Sequence, residues 1–173
     1  MKFLEKDLEQ IIWESDKKKL EDRGLYLHGN LKKQLKIGNY GIADLVEFKR
    51  PYYHSGYKKI MKGEINVIEL KKDNISVSSF FQALNYLKGI KTFIETCKPK
   101  LQDSFNYRIT LIGKEIDLNS SICYLADFFH DEEHEYFEHD SKNTFIDLFT
   151  YSYDFDGLLF KQVEEYNLIN KGF

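Results

Sequence analysis

Two carboxylates and a lysine stand in two strand-like segments of this sequence. Glu69 and Lys71 are two residues apart at the end of the strongest strand signal in the chain, so both side chains leave the same face of a sheet. Asp44 lies in an earlier strand-like segment and comes beside Glu69 if the two strands pair. Because hard divalent cations prefer oxygen ligands, we predict that Asp44, Glu69 and the backbone carbonyl of Leu70 bind Mg²⁺ or Mn²⁺.

This combination of residue types suits the hydrolysis of phosphodiester bonds. Such chemistry needs a divalent cation, a polarised water molecule and a positive group near the charge that develops on phosphorus. Lys71 would activate or position the water, or stabilise the pentavalent phosphate. A second Glu-x-Lys triplet begins at Glu47, but in a continuous strand its carboxylate and that of Asp44 point to opposite faces. The triplet at Glu69 is therefore the predicted site.

The periodicity of apolar residues predicts the elements that hold these side chains. A first helix is expected over residues 3–13, and a second helix begins after Ser76 or Ser78 and reaches about Glu95. Residues 51–64 are predicted to be a long, aromatic and basic hairpin loop, a kind of loop that often contacts ligands. The remaining predictions are strands at 25–37, 41–48, 65–71, 107–113, 145–151 and 158–163, a helix at 120–129, and a hairpin turn at 154–157.

Length and composition indicate one folded domain over residues 1–173. With 42% apolar and 16% aromatic residues, the chain is too hydrophobic to be disordered. It has no apolar run long enough to cross a membrane, and the charges in its first seven residues do not fit a signal peptide. We therefore expect a cytoplasmic protein without membrane contact. Nothing in the sequence indicates a small organic cofactor.

The charge pattern bears on nucleic-acid binding. The net charge of -3 argues mildly against a protein that coats DNA, because such proteins are usually basic. Lysine is nevertheless concentrated in residues 17–72, whereas residues 127–140 are acidic, so a local basic face is compatible with the sequence. The two cysteines, Cys97 and Cys123, form neither a metal-type pair nor a disulfide framework, and both are expected to be buried.

The order of several short motifs resembles that of the PD-(D/E)XK nucleases, and most closely that of the catalytic domain of NucS-type endonucleases. The resemblance implies an α/β fold with a restriction-endonuclease-like αβββαβ core over residues 5–112, in which helices flank a mixed central sheet. Residues 113–173 would form an extension with a C-terminal β-hairpin. The sequence departs from the family in the pair before Asp44 and in the inserted loop at 51–64. The motifs are Glu5–Ile12, Gln34, Gly41–Val46, Val67–Lys71, Gln82 and Tyr86.

The resemblance also implies a role for each motif. Asp44, Glu69 and Lys71 would carry metal-dependent cleavage of DNA. Gln82 and Tyr86 are four residues apart, on one face of the second helix, and would lie beside the phosphate. Many such nucleases act as two-fold dimers, so a homodimer is an expected partnership.

Two further predictions concern the first helix and the contacts with nucleic acid. A glutamate of the first helix would lie at the outer edge of the metal; Glu9 is the preferred residue, and Glu5 and Glu14 remain alternatives. Aromatic and basic side chains of the 51–64 loop could stack on bases and meet phosphates, although the same loop could instead pack on its own sheet. The predicted nucleic-acid contacts are Gln34, Tyr53, Lys58, Lys59 and Lys72.

Two other functional classes are compatible with the sequence. One is a catalytically inactive module that keeps the nuclease fold and binds nucleic acid or protein, which the negative net charge favours. The other is a zinc hydrolase, because residues 130–134 fit the His-x-x-Glu-His pattern of one zinc-peptidase class. No third zinc ligand is evident beside His130 and His134, so we rank this class last.

Overall fold

A computed structural model describes residues 3–56, 59–117, 120–125 and 144–163 of the chain. Its helices are α1 (Glu5–Glu14), α2 (Lys17–Asp22) and α3 (Val77–Cys97), with single 3₁₀ turns at Gly38–Tyr40 and Pro99–Leu101. Its strands are β1 (Asn30–Lys36), β2 (Ile42–Lys49), β3 (Tyr52–His54), β4 (Lys59–Met61), β5 (Gly63–Leu70), β6 (Asn74–Ile75), β7 (Phe105–Gly113), β8 (Glu115–Ile116), β9 (Thr144–Asp154) and β10 (Gly157–Gln162).

Six of these strands form one mixed sheet in the order β1-β2-β5-β7-β9-β10. The pairs β1–β2, β2–β5 and β9–β10 are antiparallel, whereas β5–β7 and β7–β9 are parallel. Strands β3 and β4 form a separate antiparallel hairpin, and the short β6 and β8 pair in parallel. The predicted α/β class, the mixed sheet and the hairpin near the C-terminal end are confirmed.

Helices cover both faces of the sheet because its strands alternate apolar side chains between the two sides. On β5, Val67 packs in the cluster that contains the α3 residues, and Ile68 packs in the cluster that contains the α1 and α2 residues. Helix α1 contributes Leu8 and Ile12, which are four residues apart and therefore lie on one helix face. Among the described residues no helix is both long enough and apolar enough to cross a bilayer.

Two local predictions need correction, and one helix was not predicted. Residues 25–27 are not a strand, because they connect α2 to β1 and bury Leu25 and Leu27 through irregular backbone. Helix α2 was not predicted; its N-terminus is capped by the side chain of Asp16. Cys97 is exposed at the end of α3, whereas Cys123 is buried as predicted. Of the helix predicted at 120–129, the structure describes residues 120–125, of which 122–125 are helical.

Gly89 allows α3 to approach the 3₁₀ turn that leads into β2. A Cβ atom at this position would lie 2.6 Å from Ile37 Cγ2 and 2.7 Å from the ring of Tyr40. We predict that Gly89→Ala destabilises the protein by about 1–2 kcal/mol, because overpacking of the core outweighs the better helix propensity of alanine. Urea unfolding measures this change. The exposed Lys88→Ala is the matched control, and equal stability of the two variants would contradict the packing at Gly89.

Candidate functional site

An interruption in the β1–β2 ladder positions Asp44. The register pairs Lys33 with Leu45 and Leu35 with Ala43, and omits Gln34 and Asp44 between them. Gln34 adopts a φ of 50°, a left-handed conformation that costs a non-glycine residue roughly 1–3 kcal/mol. The carboxylate of Asp44 extends toward β5, where its Oδ2 accepts a hydrogen bond of 3.0 Å from the backbone N–H of Leu70.

Glu69 lies next to this carboxylate and is almost completely buried, with 1% of its surface exposed. Its Oε1 atom accepts a hydrogen bond of 2.7 Å from Lys71 Nζ. Its Oε2 atom is buried and has no hydrogen-bond partner among the described residues. An unsatisfied buried oxygen is costly, on the order of 1–3 kcal/mol or more for a charged group. The site therefore contains a free acceptor that a cation could satisfy.

Helix α3 extends the polar contacts beyond Lys71. Lys71 Nζ donates a hydrogen bond of 3.3 Å to Gln82 Oε1, and Gln82 Nε2 donates one of 2.9 Å to the hydroxyl oxygen of Tyr86. The ring of Tyr86 packs against Gly41, where a Cβ atom would lie 2.9 Å from Tyr86 Cε1. The predicted residues of β5 and α3 are thus brought together in one chain of contacts.

Helix α1 places two glutamates near the same site. Glu9 is buried, accepts a hydrogen bond from Gln34 Nε2 and forms an ion pair of 3.2 Å with Lys33. Glu5 Oε1 accepts a hydrogen bond of 3.3 Å from the backbone N–H of Lys72. Glu14 instead accepts a hydrogen bond from Gln10 on its own helix. Glu9 and Glu5 therefore remain as the first-helix residues beside the site.

The electrostatics of the site are dominated by burial of like charges. Burial and the neighbouring Asp44 carboxylate raise the pKa of Glu69 to about 7, and Lys71 only partly opposes them. Burial also raises the pKa of Asp44, against the effects of the Leu70 N–H and Lys71. Burial alone would lower the pKa of Lys71, but its hydrogen bond to Glu69 and the surrounding carboxylates raise it. The two carboxylates thus compete for one lysine.

The predicted contacts in the 51–64 loop are not near this site. The loop forms the hairpin β3–β4, which joins the end of β2 to the start of β5. Glu69 is six residues along β5 from Gly63, which is about 20 Å at ~3.3 Å per residue. Tyr53 therefore lies at the far end of the sheet, as does the backbone of Lys59, while Lys58 falls outside the described residues.

The other predicted contacts lie closer to the carboxylates. Gln34 touches Glu9, as described above, so it meets the site through helix α1. Lys72 Nζ is 3.5 Å from the carboxylate of Asp73, and its backbone carbonyl accepts a hydrogen bond of 2.5 Å from Tyr151. The N–H of Leu70 faces Asp44, and metal binding by its carbonyl stays a prediction. His130 and His134 fall outside the described residues.

A second polar cluster, not predicted from the sequence, occupies the opposite face of the sheet. Arg108 on β7 forms ion pairs with Glu64 on β5 and Asp147 on β9. Glu47 is buried on this face, where it accepts hydrogen bonds from the Gly29 N–H and from the side chain of Asn66. The only sequence signal for this cluster was the presence of charged residues within the apolar strands β5, β7 and β9. The cluster confirms that Glu47 and Asp44 point to opposite faces.

Comparisons with known proteins identify no relative of this chain. A scan against protein-family models, a search of curated proteins and a search of solved structures each found no match. Within the described ranges no group of three or more His, Cys, Asp or Glu side chains is arranged to hold a metal ion. The site is thus defined by its own geometry, as a pair of carboxylates with a lysine on one face of a mixed α/β sheet.

The raised pKa of Glu69 predicts an unusual pH dependence of stability without added metal. Between its unfolded value near 4.5 and about 7, the folded protein binds more protons than the unfolded chain, so stability falls as pH rises through this window. We predict that Glu69→Gln stabilises the protein above pH 7, by about 1–3 kcal/mol, and flattens this slope. Thermal unfolding from pH 5 to 8 measures both effects.

The control for this prediction is Glu115→Gln, a substitution of an exposed glutamate at the start of β8. It removes the same formal charge from the surface and should leave the wild-type slope unchanged. A Glu69→Gln protein that keeps the wild-type slope would show that residue 69 does not carry the buried charge.

Proposed function

We propose that this protein is a metal-dependent nuclease that hydrolyses phosphodiester bonds in DNA. The observation that carries the proposal is the pair of carboxylates, Asp44 and Glu69, held side by side with an unsatisfied Glu69 oxygen and with Lys71 at hydrogen-bond distance. These residue types are the ones that phosphodiester hydrolysis requires, and they come from two neighbouring strands and the residue that follows β5.

The donor set fits Mg²⁺ or Mn²⁺. Both ions prefer oxygen ligands, and Mg²⁺ is commonly held by one or two carboxylates while it keeps several waters. Asp44 and Glu69 would bind the ion through the unsatisfied Glu69 oxygen and a free Asp44 lone pair, and the carbonyl of Leu70 is the proposed third ligand. When bound, the ion would act as a Lewis acid that polarises the phosphate and activates the attacking water.

The remaining residues of the site would orient and neutralise the reacting groups. Lys71 lies between Glu69 and Gln82, so its ammonium would hold the attacking water or balance charge on the phosphate. Gln82 and Tyr86 are linked by a hydrogen bond that fixes the amide and the hydroxyl together. Both groups would donate to phosphate oxygens. Glu9, with Gln34 and Lys33 around it, would support the outer edge of the metal site.

The element order supports the same proposal. Counting α1 and α2 as one helical layer, α1, β1, β2, β5, α3 and β7 follow one another as αβββαβ among the strands of the main sheet. This is the core order that the resemblance to PD-(D/E)XK nucleases implies, and the two carboxylates lie on its second and third strands. The likeness to NucS-type endonucleases rests on the sequence motifs alone.

Removal of a site residue is the first test. We predict that the purified protein degrades or nicks DNA only with Mg²⁺ or Mn²⁺, and that Asp44→Ala abolishes this activity. Lys71→Ala should lower the rate by about 10²–10³-fold, because it removes the positive group next to the reacting phosphate. A gel assay with plasmid and linear DNA, with and without EDTA, measures both effects.

Matched controls separate site effects from loss of charge elsewhere. Asp103→Ala and Lys114→Ala change exposed residues outside the site and should keep wild-type activity. Thermal unfolding of all four variants checks that each is folded. Metal-independent activity that survives both Asp44→Ala and Lys71→Ala would reject the mechanism.

One observation favours a second candidate, a catalytically inactive module that binds nucleic acid or protein. Lys71 already neutralises one oxygen of Glu69 through a 2.7 Å ion pair, as it would in a purely structural site. Calorimetric titration with Mn²⁺ separates the candidates. A nuclease site should bind Mn²⁺ in a way that is lost in Asp44→Ala, whereas an inactive module should show no binding that depends on Asp44 or Glu69.

A further inference from the structure

The segment from residue 30 to residue 62 is strongly basic although the whole chain is acidic. It contains eight lysine and arginine residues and only two acidic residues, Asp44 and Glu47, whereas the rest of the chain has seventeen basic and twenty-six acidic residues. Both acidic side chains point inward: Asp44 into the candidate site, and Glu47 into the buried cluster on the other face. The outer surface of this segment therefore carries only positive formal charges.

Strand β1 forms one edge of this basic surface. In the described sheet it pairs only with β2, and Lys32 and Lys36 are exposed along it. Neither lysine forms an ion pair with a described residue, in contrast to Lys33, which is held by Glu9. The opposite edge differs, because the N–H of Phe160 on β10 donates a hydrogen bond of 2.8 Å to the carbonyl of Arg23.

The hairpin β3–β4 continues the basic surface with exposed aromatic rings. Tyr53 is 63% exposed and Tyr52 is 46% exposed. The hairpin is flanked by exposed Lys49 and Lys62, and Lys49 Nζ lies 6.0 Å from the centroid of the Tyr52 ring. Exposed aromatic rings between cations are the combination that binds nucleic-acid bases by stacking and phosphates by charge.

The direction of β1 connects the hairpin to the candidate site. Asn30 pairs with Phe48 near the hairpin, and Lys36 pairs with Ile42 near the carboxylates. The strand therefore runs the full length between the two features, a distance of about 20 Å. A base-stacked strand rises ~3.4 Å per nucleotide, so this distance corresponds to about six stacked nucleotides.

We propose that the β1 edge and the β3–β4 hairpin form an extended nucleic-acid surface. It binds a single strand over a length of about six nucleotides, from the candidate site to the hairpin. Its position relative to the cleaved bond rests on the proposed nuclease function, but its binding of nucleic acid does not. Lys32 and Lys36 contact phosphates along the edge, and Tyr53 stacks on an unpaired base at its far end. An acidic polypeptide is the alternative ligand, but it would leave the exposed tyrosines without a stacking partner.

Binding of fluorescent oligothymidines of 4, 8, 12 and 20 nucleotides, measured by anisotropy in EDTA at several salt concentrations, tests this surface. We expect a steep gain in affinity between 4 and 8 nucleotides. Lys32→Gln/Lys36→Gln should lower the salt slope by about 1.4, because each phosphate contact to a single strand contributes about 0.7. Tyr53→Ala should weaken binding roughly fivefold to hundredfold. Lys114→Gln/Lys161→Gln, with both changes on the other side of β5, is the matched control and should bind as wild type.

The outcomes distinguish an error in the proposed nucleic-acid surface from an error in the proposed nuclease function. Wild-type binding that depends on Lys32, Lys36 and Tyr53, together with no cleavage in Mn²⁺, would support the surface and reject the nuclease. Cleavage by wild type, with unchanged binding in Lys32→Gln/Lys36→Gln and Tyr53→Ala, would reject the surface and leave the nuclease. Polyglutamate that competes as strongly as oligothymidine of equal charge would also overturn the assignment to nucleic acid. Thermal unfolding of each variant confirms folding before these comparisons are made.

Discussion

The site depends on two carboxylates held close together, of which Glu69 is almost completely buried and Asp44 is partly buried. At short range and low effective dielectric, their repulsion is several times stronger than it would be in solution. One lysine, Lys71, cannot neutralise both, so the pKa of Glu69 rises to about 7 and that of Asp44 also rises. This arrangement is unfavourable for folding alone. It becomes favourable if a doubly charged cation binds, because the cation compensates both groups at once.

The scaffold must therefore be rigid enough to hold an unfavourable arrangement. Strand β5 lies between β2 and β7 and is covered by α3 on one face and by α1 on the other. Its apolar residues Val67, Ile68 and Leu70 are fully buried, so the carboxylate of Glu69 cannot turn to solvent without disrupting the core. The left-handed backbone of Gln34 is a second local cost near the same place. Strained conformations of this kind persist when the surrounding packing holds them in place, and they occur often at functional sites.

Much of this site could be predicted from sequence. In a strand, residues two apart share a face, and in a helix, residues four apart are neighbours. The shared face of Glu69 and Lys71 and the contact of Gln82 with Tyr86 are of this kind. The contact between Gln34 and Glu9 was not predictable, since it needs a broken ladder and the packing of α1. The sequence prediction did not specify where the hairpin lies, although a signal for its position existed. Asp44 lies near the start of β2 and Glu69 near the end of β5, so a loop that joins these antiparallel strands must lie at their other end.

The net charge of the chain does not predict how charge is distributed over its surface. A sum over all residues does not distinguish a carboxylate that faces solvent from one that faces the core, and the fold separates them. In the segment from β1 to β4 the fold turns both acidic side chains inward and leaves Lys32, Lys36, Lys49 and Lys62 outside. A local field of one sign can then attract a polyanion even when the molecule as a whole is negative, because exposed charges beyond about 8–10 Å are largely screened at physiological salt. The same inward orientation that places Asp44 in the candidate site therefore leaves a positive edge beside it.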